Sequence, residues 1–150
     1  MRTVENRGID TELFNAICES YDNVPIYNSL AGFSFEYFGE GTAGIKMIAE
    51  PNLSTQDGRL HGGVVASLLD TVMGAAVITQ GHHCLTLDMF INYFAPAFQA
   101  IELKAEGRII KMGGTIISAE GNLFDSEGKL LATSRGTFIR NTKKLLIGDI

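Results

Sequence analysis

The chain has 150 residues, enough for one domain with a real core, and 45% apolar with 19% charged residues excludes a disordered chain. A net charge of −5 with no basic stripe argues against nucleic acid as the main partner. The longest apolar stretch, Val64 to Ile78, is interrupted by Ser67, Asp70 and Thr71, so it is too short and too polar to span a bilayer and no membrane partner is expected.

The N-terminus begins Met-Arg-Thr-Val-Glu-Asn-Arg and lacks the apolar run of a secretory signal. Cys18 and Cys84 sit in apolar surroundings without a CxxC spacing, which reads as two buried thiols in a reducing compartment; a cytoplasmic location is expected. His61, His82 and His83 have no helical zinc-ligand spacing, so no metal is expected.

Taken in chain order, Asp10 to Tyr21 places Leu13, Phe14, Ile17 and Cys18 at helical spacing, and predicts a short amphipathic helix within an N-terminal extension over 1–22. Asp22, Asn23 and Pro25 mark a loop. Leu30–Phe38 and Thr42–Ala49 read as strands joined by a tight hairpin at Gly39-Glu40-Gly41. Pro51 to Leu60 is polar and loop-like, with Asp57-Gly58 as a turn signal.

The one long helical candidate runs from about Gly62 to Gln80, with Gly81 as its stop. Val64, Val65, Leu68, Leu69, Val72, Met73, Ala76 and Val77 form a broad apolar band suited to being wrapped by a sheet. Gly63, Ser67, Asp70, Thr71 and Gly74 form a small polar stripe that lets another backbone come close. Leu85 to Phe94 then alternates, with Leu85, Leu87, Met89, Ile91 and Tyr93 on one face and Thr86, Asp88, Phe90, Asn92 and Phe94 on the other. Phe90, Tyr93 and Phe94 read as core or interface. His82 and His83, just past the helix, read as loop residues or partners of its dipole. Ile101–Lys111, Thr115–Asp125 and Leu130–Arg140 are three further strands, linked by hairpins at Met112-Gly113-Gly114 and Ser126-Glu127-Gly128. Helix, two strands, long helix, four strands makes an α+β fold, one antiparallel sheet curled around one central helix in a single domain over 1–150.

A carboxylate inside so apolar a helix is costly unless it has partners or a task, which singles out Asp70. The unpaired N–H groups at a helix start favour anions, and Gly62 and Gly63 allow close approach there. Gly62 N–H is therefore a natural donor to a developing oxyanion, a contact worth about 3 kcal/mol. Asp70 lies roughly 13 Å along the axis from His61, at about 1.5 Å per residue, so it cannot reach its own helix start.

The run His61-Gly62-Gly63-Val64-Val65-Ala66-Ser67-Leu68-Leu69-Asp70 resembles the PaaI-type branch of the hotdog-fold acyl-CoA thioesterases, in which HGG opens the central helix and an acidic residue follows in its third turn. Gly58-Arg59-Leu60, Leu85-Thr86-Leu87-Asp88-Met89, Tyr93-Phe94-Ala95-Pro96 and Lys111-Met112-Gly113-Gly114 extend the resemblance over most of the chain. It implies hydrolysis of an acyl-CoA thioester to free acid and CoA, with no cofactor beyond the CoA of the substrate. It also implies a homodimer, or a dimer of dimers, in which His61 and Gly62 of one subunit face Asp70 of another. Asp70 would be general base or nucleophile, and Thr86 would help hold the water. Gly63, Ser67 and Gly113 would line the substrate, Asp88 would either line it or serve structure, and Lys111 and Arg135 either reach the CoA phosphates or, the favoured reading, stand as solvated surface residues. Arg140, Lys143 and Lys144 form a basic group that reads as a solvated tail or a phosphate contact. Many members carry Asn six residues before the HGG histidine; here Thr55 occupies that position, followed by Gln56, with Asn52 out of register. The alternatives are a hotdog hydratase or dehydratase, whose Asp/His or Glu/His pair is not seen, and a non-catalytic acyl-CoA sensor, against which Asp70 argues.

Overall fold

The apolar band of the long helix is met by a curled sheet in the computed structural model, which describes residues 4–22 and 31–144, the last three of these by backbone only. The elements are β1 (Glu5–Arg7), α1 (Thr11–Asp22), β2 (Ser34–Gly39), β3 (Thr42–Ile48), a 3-10 turn (Pro51–Leu53), α2 (Gly62–Ile78), β4 (His82–Tyr93), β5 (Glu102–Met112), β6 (Ile116–Phe124) and β7 (Leu130–Lys144). They form one seven-stranded sheet in the order β1-β2-β3-β5-β6-β7-β4.

Beneath the helix, in the middle of its strands, the sheet's inner face carries small residues. Ala43, Ala105, Gly107, Ala119, Gly121 and Gly136 alternate with outward polar side chains, and all of them are buried. A Cβ on Gly107 would collide with the Val72 carbonyl, and one on Gly121 would stand 3.2 Å from Leu69 and Met73 side-chain atoms. The helix backbone thus rests almost directly on the strands. Leu68, Leu69, Val72 and Met73 are fully buried between the two layers. Burying side chains of this kind stabilises by about 1.5–3 kcal/mol each.

The C-terminal end of α2 is fixed. Thr79 is buried; its hydroxyl donates to Ala76 O at 2.7 Å and accepts the Gly41 N–H at 2.9 Å. That contact ties the helix end to the β2–β3 hairpin, where Gly41 adopts φ +66°. Gly81, at φ +82°, turns the chain into β4. On the other side α1 is capped by Asp10, whose Oδ1 accepts the N–H groups of Glu12 and Leu13 at 3.0 and 3.1 Å. It seats Tyr21 against Phe35, ring centroids 4.4 Å apart, and Phe14 edge-on to Phe38.

Five expectations change. β1 is an additional strand, parallel to β2, so the sheet is mixed rather than wholly antiparallel. Its three polar residues carry no alternation; Arg7 instead stacks its guanidinium 3.6 Å above the Tyr37 ring. His82 and His83 belong to β4 rather than to a loop, because the strand pairs with β7 from its first residue. β7 runs to Lys144 instead of ending at Arg140. Cys18 and Cys84 are half-buried free thiols rather than fully buried ones. The Asn23–Pro25 loop, Leu30 and the Lys143 and Lys144 side chains lie outside the described residues, and of the strand expected from Leu30, residues 31 and 32 are a turn, so β2 begins only at Ser34. Among the described residues no helix is long and apolar enough to cross a membrane.

Two predictions test this packing. Gly107→Ala should lower the denaturant midpoint by an amount corresponding to about 1–3 kcal/mol, since the added methyl has no room; an unchanged midpoint would contradict the close contact. Burial first, and the Asp70 charge second, push the Cys84 thiol up from 9.0 to about 11. The folded state therefore holds that proton more tightly than the unfolded state. Its contribution is complete below pH 9 and disappears as pH rises to about 11. Unfolding of wild type beside Cys84→Ala should show a stability difference that shrinks over that window, and a difference independent of pH would be the contrary result.

Candidate active site

His61 is the N-cap of α2. Its extended backbone, φ −61° and ψ 135°, starts the helix, and its Nδ1 accepts the Gly63 N–H at 3.0 Å. An accepting Nδ1 places the ring proton on Nε2 in the neutral form. The His61 carbonyl accepts the N–H groups of Val64 and Val65 at 2.9 and 3.4 Å. Among the described residues no acceptor takes the Gly62 N–H, and Gly62 is exposed. Of the two glycine N–H groups, that of Gly62 is thus the one left open at the positive end of the helix dipole.

Two hollows flank this helix start. One, of about 420 Å³, has Leu60, Gly62, Val65, Tyr93, Phe94 and Leu131 among its lining residues, and Thr55 and Arg59 at its polar side. The other, of about 440 Å³, is lined by Asn52, Leu53, Ser54, His61, Gly63 and Val64. Asn52, out of register in the sequence, is therefore beside His61 in space. Thr55 reaches the first hollow while its hydroxyl is held in the loop, bonded to Asp57 and to Arg59 O at 3.0 Å. The Arg59 guanidinium, then the Thr55 hydroxyl, hold the Asp57 carboxyl down to about 2. Gln56 is exposed and lines neither hollow.

Nine residues further along α2, Asp70 is half-buried on the side of the helix that faces β4, where its Oδ1 accepts the Thr86 hydroxyl at 2.8 Å. The small stripe runs along this side. Ser67 donates to Gly63 O at 2.8 Å, Thr71 to Ser67 O at 2.7 Å, and the Cys84 thiol lies 3.8 Å from Gly74 O. The stripe receives the side chains of β4, whereas the closest backbone approach is on the apolar band, at the sheet glycines.

Thr86 faces Asp70 because β4 contains a bulge. Thr86 pairs with Phe138 and Asp88 with Thr137, leaving Leu87 as an extra residue. Beyond it the alternation is reversed. Thr86, Met89, Ile91 and Tyr93 pair with the buried Phe138, Gly136, Ser134 and Ala132 and point inward. Leu85, Asp88, Phe90 and Asn92 point outward. Asp88 and Thr86 therefore lie on opposite faces, contrary to the sequence expectation. Phe90, Tyr93 and Phe94 are 68%, 54% and 59% exposed, so none belongs to the core of this chain.

Other expected substrate contacts also lie away from Asp70 within one chain. Lys111 pairs with Ser118 on the outer face of the sheet, and Arg135 stands on the same face, 3.9 Å from Glu120. Gly113 makes the β5–β6 turn, donating its N–H to Ile116 O at 3.0 Å, where a Cβ would strike that carbonyl. Tyr93 is the site residue that sequence reading missed. Its hydroxyl donates to Gly62 O at 3.0 Å, and its ring lies 3.8 Å from where a Gly62 Cβ would be. The bulge hides this, since simple alternation sets Tyr93 opposite Thr86. Among the described residues no group of three or more His, Cys, Asp or Glu could hold a metal ion.

Residues 57–132 match the model of the thioesterase superfamily. A protein of Archaeoglobus fulgidus named "Putative esterase" is 27% identical over 101 residues, covering 67% of this chain and 66% of that one, so the match spans just under two thirds of that relative. The Escherichia coli PaaI protein from the phenylacetic acid degradation operon superposes with a TM-score of 0.85 at 20% identity, over 91% of this chain and 99% of that one. A Streptococcus mutans protein solved with acetyl-CoA bound gives a TM-score of 0.75 at 21% identity, over 81% of this chain and 95% of that one. The fold is the hotdog fold, and this chain belongs to the thioesterase superfamily.

Proposed function

We propose that the protein hydrolyses an acyl-CoA thioester to the free acid and CoA, at a site shared between two copies of the chain. The observation that carries this reading is the separation on one helix of an open Gly62 N–H from a half-buried Asp70 held by Thr86. One is an oxyanion donor and the other a base, and eight positions of helix keep them apart in a single chain. A second copy supplies the missing half. Among the described residues β4 is the edge of the sheet, with β7 as its one neighbour, and it exposes Leu85, Leu87 and Phe90. A long apolar edge is a surface that pairs with another chain. The acetyl-CoA held by the S. mutans protein of the same fold supports a CoA thioester as the ligand.

In this reading Asp70 takes a proton from water as the water oxygen attacks the thioester carbonyl carbon, with the Thr86 hydroxyl fixing the carboxylate. The carbonyl oxygen becomes an oxyanion against the Gly62 N–H of the other copy. The C–S bond then breaks, and the leaving thiolate takes the proton that Asp70 received. Direct attack by Asp70 would pass instead through a mixed anhydride that water opens. The hollow beside Gly62 receives the acyl group in both routes.

Thiol release from acyl-CoAs of short, medium, long and aromatic type tests the proposal. Asp70→Asn should lower kcat by about 10²–10⁴ with the fold intact, and near-normal turnover would sink the assignment. Gly62→Pro should also be slow, because it removes the donor N–H at the first helical position, where proline is well accepted after an extended residue. A folded Gly62→Pro with the full rate would remove Gly62 from the mechanism. Tight binding of CoA esters without any turnover would favour a sensor.

A further inference from the structure

We propose that Tyr93 is a positioning residue for this reaction, clamping the Gly62–Gly63 peptide so that the Gly62 N–H is presented to the substrate; the inference rests on the thioesterase reading above. Two consecutive glycines have wide backbone freedom, which is a poor basis for an oxyanion donor. Here that freedom is removed by hydrogen bonds at both peptides. The carbonyl of the Gly62–Gly63 peptide accepts the Tyr93 hydroxyl at 3.0 Å, and its N–H donates to His61 Nδ1 at 3.0 Å. The preceding peptide is held through the His61 carbonyl by Val64 N–H at 2.9 Å. Both peptide planes that meet at the Gly62 Cα are thus fixed, and the Gly62 N–H is the group left for a ligand.

The clamp crosses from one element to another. Tyr93 is the last residue of β4, 31 positions from Gly62, and it is turned inward by the Leu87 bulge. Its ring also lines the hollow beside Gly62. One side chain thereby joins the edge strand, the acyl side of the site and the helix start. The hydrogen bond also polarises the shared peptide, strengthening the Gly63 N–H bond to His61 and so holding the imidazole. No atom of Tyr93 is asked to react. Its hydroxyl acts through the Gly62 backbone, so its removal changes how well the oxyanion is met rather than how well the substrate binds.

Tyr93→Phe keeps the ring against Gly62 and removes only the hydroxyl. The expected result is a kcat about 3–10-fold lower with KM within about twofold of wild type, the size of one lost hydrogen bond felt in the transition state. Amide exchange at Gly63, read by NMR, should be several-fold faster in the variant. A kcat equal to wild type, a loss confined to KM, or unchanged Gly63 exchange would each overturn the positioning role. Asp70→Asn measured alongside separates the two claims. A normal Tyr93→Phe beside an inactive Asp70→Asn rejects the clamp alone, a fully active Asp70→Asn rejects Asp70 as the base, and a wild type that releases no thiol from any acyl-CoA rejects the thioesterase reading beneath both.

Discussion

The seating of one apolar helix on a floor of glycine and alanine is the constraint from which the other features follow. With Gly107, Gly121 and Gly136 beneath Leu69, Val72 and Met73, the helix has little freedom to rotate or slide without a backbone collision. Rotation fixed by packing decides which residues remain uncovered. The strip left at the margin of the sheet carries Ser67, Asp70, Thr71 and Gly74, and so a carboxylate is held half-buried rather than solvated or engulfed. Translation fixed at Thr79 by the β2–β3 hairpin decides where the opposite end, with His61 and Gly62, emerges between its two hollows.

The second determinant is a single extra residue. Without Leu87, strict alternation would put Thr86 and Tyr93 on opposite faces. The bulge turns both inward, one to hold Asp70 and the other to hold Gly62 O. The outer face of the same sheet keeps its ion pairs, Arg108 and Arg135 against Glu120, away from the reacting groups. Exposed pairs of this sort add little stability.

Much of this was legible in the residues. Helical spacing and Gly81 bounded the central helix to within about two residues, and HGG with Asp70 in the third turn singled out both halves of the proposed site. What escaped reading shares a physical origin. β1 is three polar residues whose pairing depends on β2 and on stacking at Tyr37, neither of which leaves a local pattern. A bulge is a property of two strands at once, so the inward turn of Thr86 and Tyr93 is invisible in β4 alone. Asp88, Lys111 and Arg135 were open to a site or a surface role by motif position, and strand parity sets them on the outer face. Gly107, Gly121 and Gly136 look like weak points in strands until the helix backbone above them is seen.

The account depends on Gly62 and Asp70 acting from different copies of the chain, because the helix that carries both also holds them apart. Mixing two inactive variants, Asp70→Asn and Gly62→Pro, after unfolding and refolding them together, tests that dependence most directly. In a mixed dimer one site regains both an intact Gly62 N–H and an intact Asp70, while the other loses both. Random pairing then makes half of the dimers mixed, each with one working site, and restores about a quarter of the wild-type rate per chain. No recovery from variants that are folded and dimeric would contradict a shared site.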